Sequence, residues 1–532
     1  MWFDVGTSRD VGTPTDMGDM RIYKSNDLVG FHVDPAAPEK AWQDLRVKCP
    51  ALSEWGVTTL RKGGLDGPAQ GLDGFVQSII LEPLYICKDH RNLHSNFYSK
   101  KFVETTSVCS RLHFFNQEKL QPKDLLADEE KFRKNYLGFS VVRPVKEACL
   151  GRTVIDPWKI GRGIDNEYYL LRTRFRAQVN GAILDAEGYP WTSQDGDATL
   201  CAHSALWGVC RYLSQRYPQY RELYPFDFIR MTESSEGRAV PYRGMTYTDY
   251  CRILGEFGTF PVVRVVQKAN ATLAAPSLDA GAFQDLYSYV ESGFPVLASL
   301  RLPGNGHVIS LVGHTMDLDK PVGGTVEFVD SSHFLKQFVV VDDNYFPYQT
   351  LGYEGDLENY AVAYNRHGFR VSLSSVRTMT CPLPEKVFVP AEDARVKAEG
   401  YCRKFSSNLK QTGSAPFVTR LFVTSGASFK KRKLAQARRG PDGAASVPVG
   451  LHLPHFVWVM EVSPVDLFKK GLCTCEIVLD ATAGALEEGV IYVRIGNQVH
   501  FEPHKATHWV NIDDAPKQYS QYTHNLGEKN AA

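Results

Sequence analysis

Long apolar runs are absent from this 532-residue chain: the longest, such as Phe294 to Leu300, are the size of a strand, against the roughly 20 residues that a membrane-spanning helix needs. No membrane span is expected. Met1-Trp-Phe-Asp-Val-Gly6 has neither a basic head nor an apolar stretch and predicts no secretory leader. An excess of either charge is also missing. Lysine plus arginine equals aspartate plus glutamate at 60 each, so no overall field draws the protein to nucleic acid or an anionic membrane, and recognition must be local. The eleven cysteines are odd in number and irregular in spacing, which argues against a disulfide framework and for a reducing, cytoplasmic setting. Ligand clusters are scarce too. Cys473-Thr-Cys475 lacks a second pair nearby, and His500, His504 and His508 lie four apart in strand-like surroundings with a proline, whereas a zinc site needs three or four convergent ligands. With no phosphate-binding glycine loop either, neither a metal nor a nucleotide cofactor is expected.

Core material is ample, since 43% of the residues are apolar and 12% aromatic, and the length suits two to four domains. Three regions emerge in an α+β pattern. Residues 1–164 open polar and rich in Gly, Pro and Asp, with the near-repeat Gly64-Leu-Asp-Gly67 and Gly71-Leu-Asp-Gly74 as loop punctuation. Strands at Phe75–Leu81 and Gly138–Arg143 and a helix over Asp128–Tyr136 follow. Residues 165–385 form the middle region, with a helix at Tyr247–Phe257 and a loop at Ser234–Arg238 that could border substrate. Residues 386–532 begin with a helix carrying Ala394, Ala398, Tyr401, Phe405 and Leu409, before Gly413 ends it. Strands then run at Phe456–Val462, Cys475–Leu479 and Val490–Arg494, rich in β-branched and aromatic residues, and this sheet could join the N-terminal strands in one discontinuous unit. The dense basic cluster Lys430-Lys-Arg-Lys433 with Arg438-Arg439 reads as a solvated loop.

The chemistry gathers in the middle region. From Thr199 to Tyr217 the apolar residues Ala202, Ala205, Leu206, Val209, Leu213 and Tyr217 recur at helical spacing, while Gly196 and Asp197 supply turn and capping chemistry before them. Cys201 therefore falls in the first turn, where unpaired amides and the positive end of the helix dipole favour thiolate, the nucleophilic form. Cys210, farther along, reads as a core residue. A short helix marked by Phe283, Leu286, Tyr287 and Val290 ends at Gly293, and the strand Pro295–Leu300 and a turn at Pro303–Gly306 lead to His307. His307, Ile309 and Leu311 share one face of the next strand, and Val308, Ser310 and Val312 the other. A further strand, Phe338–Val341, runs into Asp342-Asp343-Asn344, any of which can accept from one imidazole nitrogen and leave the other facing the sulfur. His203 and His314 are rivals to His307. The first points to another side of the helix and the second has opposite strand parity, so both read as structural or exposed.

This order of residues resembles the papain-like cysteine peptidases, most closely the bacterial branch that trims double-glycine leaders from exported peptides. The features are a glutamine shortly before the cysteine, a helix ending in Gly293-Phe-Pro-Val296, a strand beginning Gly306-His307 and an aspartate closing the next strand. The resemblance covers roughly residues 190 to 350. It implies a papain-like core with Cys201 as nucleophile, His307 as base, Asp342 as orienting acid and Gln194 as a side-chain oxyanion donor. Two departures stand out: Cys201-Ala-His203 replaces the usual Cys-Gly-Pro, and Gln194 lies seven residues ahead of the cysteine, one more than the family pattern. Without neighbouring membrane segments, the resemblance does not carry the leader substrate with it.

The activity implied is acyl transfer by a thiol hydrolase acting on a protein or peptide, through a thioester, at a peptide or isopeptide bond. A transglutaminase, amidase or acyltransferase uses the same triad with another acceptor, and a non-catalytic interaction protein on the same scaffold is the reading from a different class. The long flanking regions are expected to restrict access to Cys201 or to select its substrate.

Overall fold

The computed structural model describes residues 28–63, 71–161, 168–236, 244–267, 278–302, 305–323, 326–353, 361–364, 367–439, 449–484, 487–501, 509–512 and 515–523. The opening hexapeptide, Gly64–Gly67, Pro303, Gly304, His504 and His508 lie outside these. Among the described residues the chain is mixed α and β with several sheets, and no helix is long and apolar enough to cross a membrane.

Three sheets dominate. The first is a five-stranded antiparallel meander in chain order, Val29–His32, Ser78–Tyr85, Cys109–Phe115, Tyr136–Val142 and Leu150–Ile155. The second contains the middle region. Its strands lie in the order Gln349–Leu351, Leu335–Val341, Asn305–Met316, Val296–Leu302, Val376–Pro384 and Thr259–Val265, all antiparallel, with Tyr168–Leu170 added against Asn305–Met316. The third begins with Phe328–Asp330, paired parallel to Phe417–Ser425, and continues antiparallel through Phe456–Pro464, Cys475–Asp480, Val490–Ile495, Gln498–Phe501 and Trp509–Asn511. The N-terminal and C-terminal strands thus sit in separate sheets, and the strand that joins the third sheet comes from the middle region.

The cores show how the regions are held. One apolar cluster joins Trp42 and Leu60 of the helices Pro38–Lys48 and Glu54–Lys62, and Phe114 and Ile155 of the N-terminal sheet, to Leu206, Val209 and Leu213 of the helix Cys201–Arg216 and to Val308 and Val312. Another joins Ile309, Leu311 and Val340 to Leu286 and Val290 of the helix Ala280–Glu291, and on to Leu421, Trp458 and Ile477 of the third sheet. The alternation along Asn305–Met316 therefore feeds two cores, one per face, as its period-two pattern requires. That alternation is first interrupted where Leu311 pairs with Val340 but Gly313 pairs with Val339. The bulge reverses the parity beyond it and returns His314 to the cluster side, against Tyr287. At Gly313 a Cβ would lie 2.0 Å from the Tyr169 carbonyl oxygen, so only glycine lets the Tyr168–Leu170 strand approach.

Two loop expectations are corrected. The basic cluster is part of a helix, Gly426–Arg439, in which Phe429 and Lys433, four apart, both turn inward. Lys433 pairs there with Glu476, so one cation of the run is buried rather than solvated. Of the expected loop Ser234–Arg238, Ser234–Glu236 instead ends the helix Pro225–Glu236, whose apolar residues Phe226, Ile229 and Met231 carry it on into the polar ones, and Gly237 and Arg238 lie outside the described residues.

Candidate active site

Cys201 is the first residue of the helix Cys201–Arg216, one position after the N-cap Leu200. The turn before it is built by Asp195, whose Oδ1 accepts from the amides of Asp197, Ala198 and Thr199 at 3.0, 2.8 and 2.8 Å, with Gly196 in the left-handed region at φ +74°. Asp197, the expected cap, points outward to Lys101 instead. The helix entry is finished by His203, whose Nδ1 accepts from the Leu200 amide at 3.2 Å. Burial pushes the His203 pKa down to about 3, so it stays neutral and able to accept.

The segment leading to this turn is anchored by the N-terminal sheet. Trp191 forms an isolated antiparallel bridge with Thr153, and the buried Arg143 donates to the Ser193 carbonyl and hydroxyl oxygens at 3.0 and 2.9 Å. The helix itself is tied by Asp89, which accepts from Arg211 at 2.8 Å, Trp207 at 3.2 Å and Arg152 at 2.7 Å. Burial opposes the charge of Asp89, but Arg152 and Arg211 outweigh it and keep its pKa below the ordinary value.

His307 enters from the start of Asn305–Met316 and donates from Nε2 to Oδ2 of Asp342 at 2.8 Å. Both residues are buried. Burial disfavours the imidazolium, yet the Asp342 carboxylate and then Cys201, as hydrogen-bond partner and charge, hold the His307 pKa well above its usual value. With Nε2 given to Asp342, Nδ1 is the nitrogen left for the sulfur. Asp342 is fixed from behind: its Oδ1 accepts from the Asn344 amide at 2.9 Å and the Asn344 side chain at 3.1 Å, and its carbonyl accepts from Trp191 Nε1 at 2.6 Å. Among the three alternatives at this strand end, Asp342 makes the 2.8 Å contact, while Asp343 Oδ1 is 4.0 Å from Nε2.

Gln194 donates from Nε2 to Asn344 Oδ1 at 3.2 Å, which joins the segment before Cys201 to the loop after the acid. One of its two amide hydrogens is used there, leaving the other for a ligand. His314 lies away from this site, paired with Glu291, which Arg420 also binds. Cys210 is fully buried, and burial raises its pKa. Cys473 and Cys475 are buried with raised pKa from the same cause, and His500 packs against Phe405 and Trp509.

His307, Asp342 and Asp343 bring three potential ligand atoms within 4.8 Å of one another. The Nε2 hydrogen that binds Asp342 would have to leave before a cation could take its place, so a metal ion here would dismantle the imidazole–carboxylate contact. The arrangement fits a hydrogen-bonded triad rather than an ion cage. All eleven cysteines are unpaired, and only Cys201 and Cys251 reach solvent in part. Sequence reasoning did not find Trp191, Arg143 or Asp89, since their roles depend on partners up to 151 residues away, nor Asp195, whose short-range turn was credited to Gly196 and Asp197. The chain matches no model of a known protein family and no curated protein.

Proposed function

We propose that the protein is a cysteine hydrolase of papain-like type, acting on a peptide or isopeptide bond of a protein or peptide. The observation that carries this reading is the placement of His307 between Asp342 and Cys201, with the sulfur at a helix N-terminus. In the first step the Cys201 thiolate attacks the carbonyl carbon, a C–S bond forms and an electron pair moves to oxygen. The Cys201 amide, which has no intrahelical acceptor in the first turn, and the second amide hydrogen of Gln194 receive that charge, a contribution of roughly 3 kcal/mol per donor. His307 then protonates the leaving amine as the C–N bond breaks, leaving a thioester. Water attacks next, His307 takes its proton, and the C–S bond breaks to release the acid. Asp342 keeps the imidazole oriented and favours its charged form throughout.

Incubation with a peptide library, with product amines read by mass spectrometry, tests the reading. Wild-type protein releases new amines, and Cys201→Ala and His307→Ala each lose at least about 10³-fold in rate. Turnover that survives Cys201→Ala would overturn it.

A further inference from the structure

Two carboxyl groups stand side by side behind His307, and the proposed chemistry uses only one of them. Asp343 is buried, with its Oδ1 3.4 Å from Asn344 Nδ2 and 4.0 Å from His307 Nε2. Its Oδ2 is buried and, among the described residues, receives no hydrogen-bond donor. An ionised carboxylate in that position would leave an oxygen desolvated and unpaired, next to a second carboxylate. A proton on Asp343 removes both costs, because the neighbouring Asp342 is an acceptor.

We propose that Asp343 is a positioning residue: the buried Asp342–Asp343 pair shares one proton behind His307, and release of that proton adds a second negative charge that further favours the imidazolium. The proposal rests on the thiol-hydrolase reading for its purpose, but its physical content is the state of His307. Burial, followed by the Asp342 charge, raises the Asp343 pKa to about 7, while the pKa of His307, opposed by burial, is held well above its usual value by Asp342 and Cys201. The charged and titratable groups facing Asp343 are Asp342 beside it and His307 from the adjacent strand. Cys201 lies across the imidazole on the helix side, and the segment before the helix contributes the neutral Trp191 and Gln194.

The test is side-chain ¹⁵N NMR of histidine-labelled full-length protein, with His307→Ala to assign the signal. In Asp343→Asn, which keeps the shape and removes the charge, the midpoint of His307 deprotonation falls by roughly one to two pH units, as expected for a charge about 4 Å away at high effective dielectric. Coincident midpoints in wild type and variant would overturn the proposal. Infrared spectroscopy of the wild-type protein reads the same proton without any substitution at Asp343. A protonated carboxyl band present under mildly acidic conditions should vanish as the pH passes neutrality, and its absence at the acid end would also overturn the proposal. Alkylation of Cys201 is read separately. If Cys201 reacts no faster than Cys251 while the His307 midpoint still shifts, the hydrolase reading fails and the role of Asp343 stands.

Discussion

His307 Nε2 meets Asp342 at 2.8 Å, and this contact decides what each neighbouring side chain can contribute. Replacing Asp342 with asparagine removes the charge that holds the imidazolium and allows an amide N–H to face the ring. Turnover of a peptide substrate should fall by about 10²- to 10⁴-fold, and alkylation of Cys201 at mildly acidic pH should fall with it. Gln194→Ala should behave differently. It should lower turnover by roughly 10²-fold while leaving the alkylation rate of Cys201 unchanged, since an oxyanion donor acts only after attack. Parallel loss in both assays would make Gln194 a strut for Asn344 instead. At this scale Cys201, His307 and Asp342 were legible by position, because each sits near a helix start or a strand end, whereas Gln194, in the loop before the helix, was singled out through the family resemblance. The choice among Asp342, Asp343 and Asn344 was not, since one residue at a strand end changes the face presented. Parity misplaced His314 for a related reason: the bulge at Leu311–Gly313 leaves no local mark in the sequence.

Among the elements, the helix Cys201–Arg216 matters most, and its position is set from outside. Asp89 gathers Arg152, Arg211 and Trp207 in a buried cluster, so Asp89→Ala takes the carboxylate partner from Arg152, leaves Arg211 with Glu222 and the Leu223 carbonyl, and should cost about 3 kcal/mol in denaturant unfolding. An unchanged unfolding midpoint would show that the helix is held by apolar packing alone. Helices with strong apolar periodicity, such as Tyr247–Phe257, agree with their expected bounds, and the strand at Phe456 extends only two residues past its expected end, to Pro464. The helix Gly426–Arg439 was obscured by its own charge. Phe429 and Lys433 mark its inner face among the described residues, and a lysine that buries its stem and pairs with Glu476 is indistinguishable in sequence from a solvated one.

The whole molecule behaves as a set of shared cores. Residues of the middle region complete the N-terminal cluster on one face of their sheet and the C-terminal cluster on the other. A fragment of about residues 165–385 should therefore fail to fold, giving no cooperative thermal transition. Its folding with full turnover would show that the flanks are dispensable. The flanking region at the N-terminus supports the nucleophile segment through Arg143 and Asp89. Acid should destabilise the protein early. Burial lowers the pKa of His90 and His113 to about 4 and that of His203 to about 3, so between these values and about 6.5 these three groups bind more protons in the unfolded chain than in the folded one, outnumbering Asp343, whose raised pKa of about 7 acts in the opposite sense. Stability then rises with pH across that window, each unit of depression being equivalent to about 1.4 kcal/mol. Urea midpoints that do not change between pH 4.5 and 6.5 would contradict this expectation.

Cys201 and Cys251 are the two cysteines that reach solvent, and only Cys201 has an imidazole beside it, which gives the central claim an internal control. The decisive measurement is the rate of iodoacetamide modification at each site near pH 6, mapped by mass spectrometry in wild type and His307→Ala. The account predicts that Cys201 in the wild type reacts far faster than Cys251 and loses that advantage in His307→Ala. Equal rates at the two sites, or a fast Cys201 that is indifferent to the loss of His307, would contradict it.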